Sequence, residues 1–175
     1  MATPIGKRVY DALNKEITEH LMSAYFFLGA AGILKDMGLP GCAKWAVNNY
    51  KEIRTTAMEM FQFLMRRKAK ARFLPIPAPK QDWRAPLHIF EEASRQMQRA
   101  TGSIYTIYEY TMAEKDYSSQ IMFMKWIEAK TSLEMKTVNL LERLRKMQST
   151  DMGVFSFDAE MDRMYPGSIE SDPIF

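Results

Sequence analysis

The sequence predicts an all-α fold, a four-helix bundle with one long crossover connection and a short fifth helix. Four long segments, near residues 6–36, 42–70, 86–114 and 117–147, contain no internal proline and lack the period-2 alternation of strands. In each segment the apolar residues recur at the spacing of one helix face. A proline-rich run at 73–79 cannot be helical and separates the second segment from the third.

Each segment carries an apolar stripe at i, i+3, i+4 spacing, which predicts four helices that bury one face each. The first stripe is Leu13, Ile17, His20 or Leu21, Ala24, Phe27 or Leu28, and Ala31. The second is Ala46, Asn49 or Tyr50, Ile53, Thr56 or Ala57, Met60 and Leu64. The third is Phe90, Ala93, Met97, Ala100 or Thr101, Ile104, and Ile107 or Tyr108. The fourth is predicted as Met124, Ile127, Thr131, Glu134, Val138 and Leu141.

The connections predict the topology. Gly38 to Gly41 forms a short turn, so the first two helices are antiparallel neighbours, and the last two are joined by a similarly short turn. The linker that runs to about Pro86 is long enough to travel the length of the bundle. Two hairpins joined by one crossover are therefore expected, rather than a simple up-and-down bundle.

Length and composition predict one domain over residues 1–175, with the bundle at about 6–147, the fifth helix at 155–164 and a tail at 165–175. The single cysteine, Cys42, cannot form an internal disulfide, so a reducing cytoplasm is expected. No apolar leader is evident, and no membrane-spanning helix is expected. The net charge of +3 does not by itself indicate nucleic-acid binding.

Several segments resemble, in order and spacing, the ferritin family of the bacterial type. They are LNKEI at 13–17, GLPGCAKW at 38–45, AMEMFQFL at 57–64, the crossover at 75–86, AEKDY at 113–117 and GVFSFDAEM at 153–161. The resemblance implies a ferritin fold, self-assembly into a shell of about 24 subunits, and iron as stored cargo. It also implies that the fifth helix lines a four-fold channel.

The iron chemistry of that family is not supported by the residues. A di-iron carboxylate site uses Glu-x-x-His on a helix, yet Ile17 stands three residues before His20 and Ala85 three before His88. The resemblance places the family's ligand positions on His20, Ile53, Thr56, Met97, Thr131 and Glu134, and the neighbouring tyrosine on Phe27. Only Glu134 keeps its residue type. The sequence therefore predicts no standard ferroxidase centre and no enzyme activity.

Two of these positions remain polar. His20 and Glu134 either form a weak residual metal site or make a hydrogen bond that satisfies both groups in the space left by the metals. The second interpretation is favoured because two ligands without a third donor hold a divalent metal weakly. His20 also has Glu16 four residues earlier as a surface partner. Haem binding is unsupported, because the axial methionine of bacterioferritins falls on Arg54.

Three functions follow. The first is a catalytically silent shell subunit that stores or sequesters iron with help, such as co-assembly with an active ferritin subunit. The second is a non-iron cage or scaffold for anionic cargo, either nucleic acid, phosphate or haem. It is suggested by the basic residues of 51–72 and 130–136, and a 24-subunit shell would carry a formal charge of about +72. The third is an enzyme with an unconventional metal centre.

Overall fold

The computed structural model describes residues 4–167 and contains five α-helices in that range. They are α1 Lys7–Asp36, α2 Pro40–Arg66, α3 Pro86–Ala113, α4 Tyr117–Met147 and α5 Asp151–Met164. The all-α bundle, the crossover and the short fifth helix are confirmed. α2 starts and ends earlier than predicted, and α5 begins at Asp151 rather than at 155. Most of the predicted tail lies outside the described residues.

Local chemistry sets the helix ends. Gly38, at φ +76°, ends α1, and the next amide, of Leu39, donates to the Leu34 carbonyl at 3.0 Å. Pro40 and Pro86 occupy the first turns of α2 and α3. Backbone N–H groups in a first turn have no acceptor within the helix, so the N–H that proline lacks costs no hydrogen bond. Asp116 caps α4 by accepting from the Ser119 amide at 3.2 Å. These signals are local, which is why the sequence predicts most boundaries closely.

The bundle core is divided into two apolar clusters. One contains Phe27, Trp45, Phe90 and Phe157, with Trp45 and Phe90 stacked at 4.0 Å between ring centroids. This cluster includes the buried face of α5, so the fifth helix closes that end of the bundle. The other includes Leu13, Ile17, Met60, Leu64, Ile104, Phe123 and Trp126. In the sequence of α1, the buried His20 comes between Ile17 of the second cluster and Ala24 of the first. In α4, the buried Lys130 comes between Trp126 and Leu140 in the same way.

The predicted stripe of α4 is wrong by about one position. Met124 is 58% exposed, whereas Phe123, Trp126 and Lys130 are buried. Positions 123, 126 and 130 also share one helix face. Because that face contains the charged Lys130, the prediction placed the buried stripe on the neighbouring face. The stripes of the other three helices are confirmed.

α1 is apolar enough to span a membrane by length and composition alone, with a mean hydropathy of 1.3 over its best window. The expectation that no helix spans a membrane stays a prediction. The structure accounts for the apolar character by burial, because Leu13, Ile17, Phe27 and Leu34 are enclosed by the bundle. The same buried face carries Glu16 and His20, as in a core helix of a bundle with a polar layer.

Candidate functional site: a polar cluster in a mid-bundle cavity

A cavity of about 660 Å³ opens beside the boundary between the two apolar clusters. α1, α2, α3, α4 and the crossover all contribute to its lining. Its apolar walls include Phe26, Ile53, Pro79, Trp83 and Met97. Polar side chains also line it, and four of them, Glu16, His20, Ser103 and Lys130, are called the polar cluster below; the others are Lys15, Glu19, Ser23, Lys80, Glu92, Gln96 and Arg99. The cavity thus combines apolar walls with a small number of buried polar groups, as binding sites do.

His20 is 2% exposed and is held by the preceding turn of its own helix. Its Nδ1 lies 3.0 Å from the Glu16 carbonyl oxygen and 3.1 Å from the Glu16 carboxylate Oε1. Both neighbours are acceptors, so Nδ1 carries the proton. Burial, and then the charge of Lys130, lower the pKa of His20, while Glu16 raises it, and the net direction is down. The imidazole is therefore neutral at pH 7, and its Nε2 has no hydrogen-bond partner among residues 4–167.

Glu16 is also 2% exposed, and Ser103 donates a hydrogen bond to its Oε2. Burial alone would raise the pKa of Glu16, but His20, Ser103 and the charge of Lys130 together hold it below its ordinary value. The carboxylate is therefore ionised. Its other oxygen, Oε1, lies 3.1 Å from His20 Nδ1 and has no further partner in the described part of the chain.

Lys130 brings a buried amine to the same cavity and is 3% exposed. Burial lowers its pKa to about 8, against attraction from Glu16 and Glu52 that raises it. No salt bridge to Lys130 is formed among residues 4–167. Buried lysines are normally paired directly, so an amine that faces a cavity without such a partner is an unusual feature.

The comparisons with known proteins agree with this architecture. The ferritin-like domain model matches residues 10–147, most of the chain. The chain belongs to the ferritin-like family.

Similar ferritins come from bacteria and archaea. A bacterial non-heme ferritin of Staphylococcus saprophyticus is 28% identical over 122 residues, 70% of this chain and 72% of the relative. One from Staphylococcus aureus is 25% identical over 167 residues, 89% of this chain and 99% of the relative. The open-pore ferritin of Archaeoglobus fulgidus superposes with a TM-score of 0.86 at 25% identity and covers 90% of this chain and 96% of that structure.

The structure brings together three of the ferritin ligand positions named from the sequence. His20, Ile53 and Met97 all line the cavity. Thr56 and Thr131 do not line it. Each is half-buried and returns its hydroxyl to its own helix, to the carbonyls of Glu52 at 3.1 Å and Ile127 at 2.8 Å.

Glu134 is half-buried and lies outside the lining of the cavity. The hydrogen-bond partner of His20 is Glu16, on the same helix, and this carboxylate is buried rather than at the surface as the sequence suggested. The metal site or hydrogen bond predicted for His20 and Glu134 stays a prediction. Within residues 4–167 no group of three or more His, Cys, Asp or Glu side chains could hold a metal ion.

The donor set therefore does not fit a di-iron centre. Such a centre needs several carboxylates and imidazoles around two cations. The cavity lining has one imidazole, His20, and its carboxylates, Glu16, Glu19 and Glu92, do not form with it a group that could hold a metal ion within residues 4–167. Ile53 and Met97, at two of the ligand positions that the sequence resemblance names, supply apolar surface. No oxidation step can be derived through a metal held by these residues.

Sequence reasoning placed Glu16 at the surface and missed Ser103 and Lys130. Lys130 was counted among the basic residues available to anionic cargo, although it continues the buried face of Phe123 and Trp126. Ser103 gave no signal, because a half-buried serine on a helix is ordinary. A search for charged residues in register with large aromatics would have found Lys130.

Proposed function

We propose that this chain is a shell subunit of the ferritin family that does not itself oxidise iron and takes part in iron storage or sequestration. The observation that carries the proposal is Lys130 in the mid-bundle cavity with Ile53, Met97 and His20. A lysine ammonium at this position supplies positive charge where the family binds cations.

The charge balance of the polar cluster opposes Fe(II). At pH 7 Glu16 is negative, His20 is neutral and Lys130 is mostly protonated, so the cluster is already near neutrality without metal. A divalent cation entering the cavity would meet the ammonium as a like charge at low local dielectric. The free lone pair of His20 is one donor, which is too few for tight binding.

Shell assembly is supported by family membership and by the extent of the match, which covers 89% of this chain for the S. aureus ferritin and 90% for the A. fulgidus ferritin. If the chain co-assembles with an active ferritin subunit, that partner would provide oxidation and this chain would provide wall and storage space. The number of subunits, about 24, and the cytoplasmic location stay predictions.

The test is aerobic addition of Fe(II) to the purified assembly, followed by stopped-flow absorbance, with the mass of the assembly measured in solution. We expect a large shell whose iron oxidation is no faster than that of buffer alone. Rapid oxidation that is abolished in His20→Ala or Glu134→Ala would contradict the proposal and support the unconventional metal centre. Metal analysis of the same sample tests the residual site.

The anionic-cargo alternative loses part of its support in the structure. Lys130 is buried in the cavity, and Arg67 makes a two-pronged salt bridge with Asp116 at 3.0 and 3.1 Å. Both cations were counted as available to cargo. Polyanion binding with a steep dependence on salt would revive this alternative.

A further inference from the structure

We propose that the mid-bundle cavity binds an uncharged aromatic alcohol whose hydroxyl group forms a hydrogen bond with His20 Nε2. The inference goes beyond the shell function. It starts from a cavity of about 660 Å³ and from one buried side chain in its lining, His20, whose Nε2 has no hydrogen-bond partner among residues 4–167. Such binding depends neither on iron nor on the charge of Lys130.

His20 offers a ligand the far edge of its ring. Its Nδ1 lies 3.0 Å from the Glu16 carbonyl oxygen of its own helix, and the two nitrogens of an imidazole point to opposite sides of the ring. Nε2 is therefore turned away from Glu16. A buried nitrogen without a partner costs free energy that a hydrogen bond recovers. A hydroxyl group both donates and accepts, so it satisfies Nε2 in either protonation state of the ring.

Two aromatic side chains shape the cavity for a flat ring. Phe26 of α1 and Trp83 of the crossover meet edge to face, with ring centroids 6.1 Å apart and an interplanar angle of 80°. Both line the cavity, and Ile53, Pro79 and Met97 contribute further apolar wall. Aromatic rings pack favourably against one another in offset and edge-to-face arrangements. The volume of about 660 Å³ lies within the range of roughly 300–1,000 Å³ that small-ligand sites occupy, so it accepts a molecule of one or two rings.

Charged side chains of both signs line the cavity, which favours an uncharged ligand. The carboxylates are Glu16, Glu19 and Glu92, and the cations are Lys15, Lys80, Arg99 and Lys130. An anionic ligand would meet the first group as like charges, and a cationic ligand would meet the second. An uncharged molecule avoids both costs.

Most of these charged groups keep water or a partner. Lys15, Glu19 and Lys80 are exposed. Arg99, whose side chain is 70% exposed, pairs with Glu92 at 3.1 Å. These five residues therefore form the mouth of the cavity, and a ligand bound deeper inside does not have to displace them.

The deeper polar groups are mostly occupied by one another. Ser23 donates a hydrogen bond to Gln96 Oε1 at 2.8 Å, and Ser103 donates to Glu16. His20 Nε2 is left for a ligand. Lys130 lines the same cavity, and a carboxylate probe tests whether its charge, rather than His20, selects the ligand.

The experiment titrates three probes into the assembled protein at pH 7 in a calorimeter: 2-naphthylmethanol, 2-ethylnaphthalene and 2-naphthoate. The first two have nearly the same shape and differ in a hydroxyl against a methyl group, and the third carries a carboxylate. We expect 2-naphthylmethanol to bind once per subunit and 2-naphthoate to bind more weakly. No binding of 2-naphthylmethanol, or tighter binding of 2-naphthoate, would overturn the proposal.

His20→Leu isolates the hydrogen bond. It should weaken the binding of 2-naphthylmethanol about fivefold, the effect of one neutral hydrogen bond, and leave the binding of 2-ethylnaphthalene unchanged. An equal change for both probes would refute the role of His20. If His20→Leu does not assemble, a crystal of the wild-type protein soaked with 2-naphthylmethanol decides the question. The alcohol oxygen within hydrogen-bond distance of His20 Nε2 supports the proposal, and a ligand bound elsewhere contradicts it.

Ala100→Phe tests the location of the site. Ala100 lines the cavity, and a phenyl group there would fill it, so both uncharged probes should no longer bind. Ala129→Phe is the matched control, at an exposed position of α4 outside the lining, and it should leave binding unchanged. Binding that persists in assembled Ala100→Phe would place the ligand elsewhere and overturn the proposal.

Discussion

Replacing Lys130 by methionine should stabilise the protein at neutral pH, although it removes a charged residue from the centre of the polar cluster. Lys130 is 3% exposed, and its pKa is lowered from 10.5 to about 8. The folded state therefore binds the proton less tightly than the unfolded chain does. A shift of that size corresponds to about 3 kcal/mol of instability at pH 7, since each unit is worth about 1.4 kcal/mol.

The pH dependence has a defined sign. Between pH 8 and 10.5 the unfolded chain holds more protons on this group than the folded protein, so the wild type gains stability as pH rises through that window. Methionine has a similar volume and no charge, and it behaves like neutral lysine at every pH. The advantage of Lys130→Met should thus be largest at pH 7 and should shrink towards pH 10.5.

The assay is urea unfolding of wild type and variant at equal subunit concentration, at pH 7 and near pH 10, because assembly makes apparent stability depend on concentration. Lys125→Met is the matched control, an exposed lysine on α4 whose side chain pairs with Glu59 at 2.9 Å. It should change stability by less than about 1 kcal/mol. A loss of stability in Lys130→Met that is equal at both pH values would refute the reasoning.

Three further predictions use other parts of the fold. Gly41→Ala should loosen α5, because a Cβ at this position would overlap the main chain of Asp158, and limited proteolysis should then cut near α5 faster. Gly102→Ala is the matched control inside α3, where an added Cβ meets no described atom within 4 Å. It should raise the free energy of unfolding in urea by about 0.5–1 kcal/mol. Burial alone would raise the pKa of Asp116, but hydrogen bonds from Arg67 and Ser119 hold it below its ordinary value of 3.8. The stability of the wild type should therefore fall as the pH drops below that value. Asp116→Asn should flatten this pH dependence in thermal melts. Burial raises the pKa of the Cys42 thiol, and we expect no reaction with iodoacetamide until the protein unfolds, as mass spectrometry would report.

The fold could be predicted because its determinants are local. Pro40, Pro86 and Gly38 fix helix ends through backbone geometry that the residue types dictate. The stripes of α1, α2 and α3 are dominated by apolar residues, so the buried face is unambiguous. The convergence of His20, Ile53 and Met97 followed from those stripes and from the crossover topology.

The site could be predicted only in part, because its decisive residues are charged side chains that lie buried, whereas charged side chains usually face solvent. Lys130 and Glu16 are charged, and periodicity alone assigns such residues to solvent unless a partner is known. The α4 stripe was misplaced for the same reason, since a lysine interrupts its buried face. Pairing of His20 with Glu16 depends on which rotamer each adopts, and residue spacing does not decide between that pair and one with Glu134.

The measurement that tests the central claim most directly is a crystal structure of the assembly soaked anaerobically with Fe(II), with anomalous difference maps recorded at the iron edge. The account predicts no iron peak among His20, Ile53, Met97 and Lys130. The electron density should show the Lys130 side chain lining the cavity. Two iron peaks at mid-bundle, ligated by side chains from several helices, would contradict it.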